Sequence, residues 1–146
     1  MKLVTLFLDF EWNPLVFLKV IKNASVVKIV PLIDENLISL SMELISEKGW
    51  LGKHEMDVLI NTLKKQLEKQ EEKFLSEMER ILKERNVVYV IERREGNLKK
   101  VLIDLFSEKP DKVVIFIRRR NPLLKVVKPI LRGIMKNHQK IEIVKV

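Results

Sequence analysis

Residues 112–117 read Lys-Val-Val-Ile-Phe-Ile, and this run decides the fold. Five apolar residues follow one lysine with no polar residue among them. A strand with one solvated face alternates apolar and polar side chains. An unbroken run belongs to a strand buried on both faces, as in a parallel sheet covered by helices. Four other short runs share this β-branched, apolar character: Lys2–Asp9, Ser25–Ile33, Val87–Glu92 and Lys140–Val146.

Helical segments separate the runs. Asn13 followed by Pro14 is an N-cap with proline at the first helical position, opening a helix to about Asn23 on Leu15, Leu18 and Ile21 or Lys22. Asn97 caps a second, whose apolar face is Leu98, Val101, Leu102, Leu105 and Phe106, and Pro110 stops it. Asn121-Pro122 repeats the cap-and-proline signature before a last helix to about Asn137, which Pro129 should kink or restart. The longest helix is expected from about His54 to Arg85, with a stripe of Met56, Ile60, Leu63, Leu67, Phe74, Met78 and Ile81. Its Lys/Glu-rich remainder is a solvated face, and the stripe fits a helix packed on a sheet better than a coiled coil. An extra amphipathic segment lies between Glu35 and Glu47, closed by the turn Gly49-Trp50-Leu51-Gly52.

The order is β-α-β-(α)α-β-α-β-α-β. Strict alternation with short connections implies right-handed crossovers and a doubly wound parallel sheet in one domain, residues 1–146. At 146 residues with a 47% hydrophobic composition, the chain can bury a core without disulfides or metals. It has no cysteine, which excludes disulfides and thiolate metal sites. Its Lys/Glu-rich, glutamine-poor composition points to a thermophilic source. No apolar stretch approaches the length of a membrane span, and the N-terminus lacks a signal-peptide pattern, so a cytoplasmic location is expected.

The net charge of +8 is unevenly placed. From Lys109 to Val146 there are eleven Lys/Arg and two acids, Asp111 and Glu142, so this segment carries +9 and the rest −1. Such an end either attracts phosphate, nucleic acid or anionic lipid, or is a solvated face. Lys125, Lys128, Arg132 and Lys136 share one helical face that can meet nucleic-acid phosphates, although Trp12, Trp50 and Tyr89 lie elsewhere and give no stacking partners. His54 and His138 are the two histidines, each placed at a helix end for a capping or surface role. There is no Gly-x-Ser-x-Gly elbow, Gly-x4-Gly-Lys-Ser/Thr loop or Gly-x-Gly-x-x-Gly fingerprint, and nucleophilic catalysis has no candidate.

The chain opens on a strand ending in aspartate, Leu3-Val4-Thr5-Leu6-Phe7-Leu8-Asp9, and places a long helix after a variable insert. Its last two strands flank a stretch that aligns without a gap with a Gly-x2-Gly-x9-Gly-Ser/Thr pattern, from Asp111 to Ile143-Val144-Lys145-Val146. In these features the sequence resembles the universal stress protein family. The resemblance implies a three-layer α/β fold of the adenine-nucleotide alpha hydrolase-like, Rossmann-like kind, with five parallel strands in the order 3-2-1-4-5. It also implies a homodimer formed through the last strand, at Ile141, Ile143, Val144 and Val146, an outer strand that would otherwise be an exposed edge.

The glycine positions of the pattern carry Phe116, Arg119 and Pro129, and the hydroxyl position carries Ile130. Glycines in such a loop let backbone N–H groups approach phosphates. Phe, Arg and Pro do not, so ATP is not expected to bind in the family's manner and no cofactor is expected. Asp9, the family position that hydrogen-bonds the adenosine part, is the clear carry-over.

The implied strand order puts Asp9 and Glu11 beside Arg118, Arg119 and Arg120 at the carboxyl ends of neighbouring strands, where doubly wound sheets bind ligands. This set is either an anion site gripped by guanidinium groups or an ion-paired plug in an old pocket. Asp9, Glu11 and Asp34 together also allow a Mg²⁺-dependent phosphohydrolase or nuclease, with Asp34 equally well placed to cap a helix. Trp12 and Trp50, both after strand ends, are expected to cover the same mouth. The leading expectation is a non-catalytic dimer acting through a partner protein or a small anion. The alternatives are the Mg²⁺ enzyme and a basic nucleic-acid-binding module.

Overall fold

The computed structural model describes residues 1–45, 52–136 and 140–146. In chain order the elements are β1 (Lys2–Phe7), α1 (Pro14–Val20), β2 (Val26–Ile33), α2 (Glu35–Ile45), α3 (Lys53–Glu84), β3 (Tyr89–Ile91), β4 (Arg94–Glu95), α4 (Leu98–Ser107), β5 (Lys112–Ile117), α5 (Leu123–Met135) and β6 (Ile141–Lys145). The strands form one parallel sheet ordered β3-β2-β1-β5-β6, with β4 also on β2. This is the expected doubly wound, three-layer α/β architecture, with its third strand in two pieces.

Pro31 accounts for the break. Val27 donates its N–H to Val88 on the β3 side of β2. The alternation of a parallel ladder points residue 31 the same way. Proline has no N–H, so one rung is missing inside a central strand. The register is unaffected: Ile29 faces Ile91 before the gap and Leu32 faces Arg94 after it.

Each strand sends alternate side chains into two helix-covered layers. Leu3 and Phe7 of β1, Val27 and Ile29 of β2, and Val114 and Phe116 of β5 meet Phe17 of α1 and Phe74, Met78 and Leu82 of α3. On the other face Val4 and Leu6, Val30 and Leu32, and Val113 and Ile115 meet Leu98, Val101, Leu102 and Leu105 of α4 and Val127 and Leu131 of α5. The long helix is therefore packed on the sheet. Leu37 of α2 belongs to the second layer and its neighbour Ile38 to the first, so α2 spans both layers beyond the strand ends.

Two of the three caps follow the sequence, while at α5 Pro122 itself holds the cap position and Asn121 lies one residue before it. Asn13 Oδ1 accepts from the N–H groups of Leu15 and Val16 with Pro14 in the first turn, and Asn97 Oδ1 accepts from Lys100 N–H. Helix α1 ends at Val20, short of Asn23. Helix α5 starts at Leu123 and continues through an exposed Pro129 without stopping or restarting. The 49–51 part of the expected turn, with Trp50, and His138 lie outside the described residues. Among the described residues, no helix is long and apolar enough to cross a membrane.

Candidate functional site

Chain topology brings the carboxyl ends of β1, β2 and β5 to one place, and a cavity of about 270 Å³ opens there. Its walls are mainly apolar, with Leu8, Leu32, Leu37, Ile38 and Leu67 among them, and Asp9, Glu11, Asp34, Arg118 and Asn121 supply polar groups. Gln66 and Gln70 add two amides, one helical turn apart on α3.

Asp9 is the centre of the polar set. Its Oδ2 accepts from the backbone N–H of Arg118 at 2.8 Å and from the side-chain amide of Asn121 at 2.9 Å. Burial pushes its carboxyl above the ordinary aspartate value, and these two donors offset only part of that cost. Both donors converge on one oxygen, so Oδ1 keeps no hydrogen-bond donor among the described residues. Arg118 pairs through Nη1 with Glu11 at 2.6 Å, and its buried Nε lies 3.8 Å from Asp9, beyond hydrogen-bond reach.

The expected cluster is thus assembled in part. Asp9, Glu11 and Arg118 meet, whereas Arg119 and Arg120 are exposed and outside the cavity wall. Asp34 lines the same cavity but is occupied as a cap. Its Oδ1 accepts from Asn36 and Leu37 N–H at the start of α2, and its Oδ2 accepts from Leu98 N–H of α4 at 2.7 Å. Among the described residues, no group of three or more His, Asp or Glu side chains is arranged to hold a metal ion.

Trp12 donates its indole N–H to Glu77 at 3.3 Å and sets its ring edge-on to Phe17 and Phe74, at 5.6 and 5.4 Å. It lines a shallow cleft with Asn13, Pro14 and Val146 and is not part of the wall of the cavity around Asp9. His54 is exposed in the first turn of α3.

The four positions aligned with the glycine-rich pattern have separate fates. Phe116 is buried and stacks on Phe7, with ring centroids 4.7 Å apart and planes 9° from parallel. Arg119 gives its N–H to Val146 C=O at 3.0 Å. Pro129 is exposed in the middle of α5, and Ile130 packs against the second apolar layer. Between them the β5–α5 turn turns its amides inward. Arg118 N–H goes to Asp9, Asn121 N–H to Arg118 C=O, Leu123 N–H to Asn121 Oδ1 and Leu124 N–H to Asn121 C=O.

Asn121 was legible as a cap and not as a ligand of Asp9. Its amide side chain performs both tasks, Oδ1 on Leu123 and Nδ2 on Asp9. Gln66 and Gln70 carried a faint signal, as uncharged polar residues i and i+4 on an otherwise charged helix face. Fold and cavity together define a doubly wound α/β protein with a small chamber at the carboxyl end of its sheet. No protein-family model matches the chain, and no curated protein matches it.

Proposed function

We propose that this chain is a universal stress protein-like, non-catalytic homodimer that does not hold ATP in that family's manner and acts by binding a partner protein or a small anion. One observation supports it above all: in the β5–α5 turn the backbone amides of Arg118, Arg119, Asn121, Leu123 and Leu124 are already spent on protein acceptors. A phosphate cradle needs several N–H groups free and convergent. Arg118 is the cation that lines the cavity, and Glu11 and Asp9 already compete for it. That competition favours the partner-protein form of the proposal. The sheet ends at β6, which pairs only with β5 among the described residues and leaves its outer edge for a second copy.

A thermal-shift panel of ATP, AMP, phosphate and Mg²⁺ tests the ligand part. A ligand at a hundred times its Kd stabilises by about 2.7 kcal/mol, which is roughly 5–11 °C for a chain of this size. ATP with Mg²⁺ should move the midpoint by less than about 2 °C, and a shift of the larger size would overturn the reading. A Mg²⁺-dependent gain that disappears in Asp9→Asn would replace it with the metal-dependent enzyme. Sedimentation velocity tests the dimer, which should dissociate when Val144 is replaced by Lys. A monomer at all concentrations removes the edge-pairing part.

A further inference from the structure

Between Asp111 and Glu142 the sequence has nine Lys/Arg and no acid, and helix α5 with its C-terminal end sets four of them, Lys125, Lys128, Arg132 and Lys136, along one face. Along α5, Lys125, Arg132 and Lys136 fall within about 40° of one another at 3.6 residues per turn, with Lys128 about 40° further round toward β6. Arg119 and Arg120 precede the helix and are exposed. Lys145 of β6 alternates onto the face that carries Ile141 and Ile143, the face covered by α5.

Some cations elsewhere are neutralised by ion pairs, whereas those of this face lie together with no acid among them. Lys28, Lys64, Arg80, Arg93, Arg94, Lys112 and Arg118 each have an acidic partner. Among the described residues Arg119, Arg120, Lys125, Lys128, Arg132, Lys136 and Lys145 have none. Lys128 instead meets Lys145, and that ammonium, with Arg132 behind it, holds Lys128 below the ordinary lysine value. A fold that sets two ammonium groups against each other keeps an unfavourable contact that an anion would relieve.

We propose that the face formed by α5 and the end of β6 docks the backbone of double-stranded nucleic acid without reading its bases. Three features select this partner. Lys125 to Lys136 covers about 16 Å of helix axis at 1.5 Å per residue. At a rise of about 3.4 Å per phosphate on one strand, that matches a row of about five phosphates. A single strand is usually held by aromatic stacking, whereas Phe7, Phe17, Phe74 and Phe116 are buried in the other layer and Phe106 is packed against the apolar core beneath α4 and α5. A membrane-surface helix inserts its apolar face, and the apolar face of α5 is committed to the sheet through Leu123, Val127, Leu131 and Ile134.

The test is fluorescence anisotropy of a labelled mixed-sequence DNA duplex of about 20 base pairs, titrated with the full chain at several salt concentrations. With about four phosphates neutralised, log Kobs should fall against log salt with a slope near −3.6. Lys128→Gln with Arg132→Gln should weaken binding at least tenfold at low salt and reduce the slope by about 2. Lys65→Gln with Lys69→Gln, on the exposed face of α3, should change neither. Thermal midpoints check that the variants fold, and the α5 pair should lose no stability, because it removes repulsion. No duplex binding at low salt, an unchanged slope in the α5 variant, or tighter binding to phosphatidylserine vesicles or polyglutamate would each overturn the proposal.

Discussion

The Asn121 side-chain amide donates to the Asp9 carboxylate at 2.9 Å, both groups buried, and so ties the end of β1 to the entry of α5. Arg118 N–H reaches the same oxygen. Asp9→Ala strands one buried and one half-buried donor, and urea unfolding should show a loss of about 2–3 kcal/mol. The pH dependence has a definite sign. A carboxyl raised by burial favours the folded state while protonated. Its contribution is complete below the ordinary value of 3.8 and is lost as pH rises through the raised one. Glu71 is raised for the same reason, so a single profile mixes the two groups. The difference between wild type and Asp9→Asn isolates Asp9 and should decline as pH rises from about 3 toward neutrality. A flat or increasing difference contradicts burial as the dominant cause.

Asp34 holds two helix starts at once, α2 through Oδ1 and α4 through Oδ2. One N-cap contributes about 1 kcal/mol and at most about 2. Asp34→Ala should therefore cost about 2–4 kcal/mol in chemical unfolding, more than a single cap. Hydrogen exchange should quicken at Leu37 and Leu98 together. Protection lost at only one of them would mean that the two helices are anchored independently.

The doubly covered parallel sheet was legible because β1, β2 and β5 are mostly apolar runs, interrupted by Thr5 and Lys28 alone within them, whereas the strand order came from the resemblance. The interruption of the third strand was also written in the chain, but on its neighbour: Pro31 removes a rung that the run around Val87–Glu92 gives no sign of losing. Local pattern reports what a residue wants and not what faces it across a ladder. The candidate site shows the same limit. Asp9, Glu11 and Arg118 were found because they sit at strand ends, whereas Arg119 and Arg120 were grouped with them by adjacency, and the turn after Ile117 carries them away. Asn121 was read from its cap role alone, since the Asp9 contact joins residues 112 positions apart.

The Pro31 gap leaves Arg93 outside the ladder, where its guanidinium reaches Glu71 on α3 through Nε and Nη2. Glu71 has 3% of its side chain exposed and Arg93 54%. The acid thus depends on the arginine far more than the reverse. Removing one partner of a buried pair costs about 3–5 kcal/mol, and the half-solvated arginine lowers that to about 2–3 kcal/mol for Arg93→Ala. Adding Glu71→Gln removes the stranded charge and should recover at least half of the loss. A double variant no more stable than Arg93→Ala would show that the arginine acts through packing alone.

Gly133 lies in the last part of α5, is exposed, and a Cβ there would meet nothing within 4 Å. Helical glycine costs about 0.5–1 kcal/mol relative to alanine, through the backbone freedom it loses on folding. Gly133→Ala should therefore stabilise by that amount and raise the melting midpoint by about 1–4 °C. Gly96 is the internal contrast. It has equal open space but a φ of +124°, a region that L side chains avoid. Gly96→Ala should destabilise by at least about 1 kcal/mol. If Gly133→Ala lowered the midpoint as well, the backbone four residues beyond Pro129 would have to depart from regular helix. The spacing of the basic stripe along α5 would then need to be drawn again.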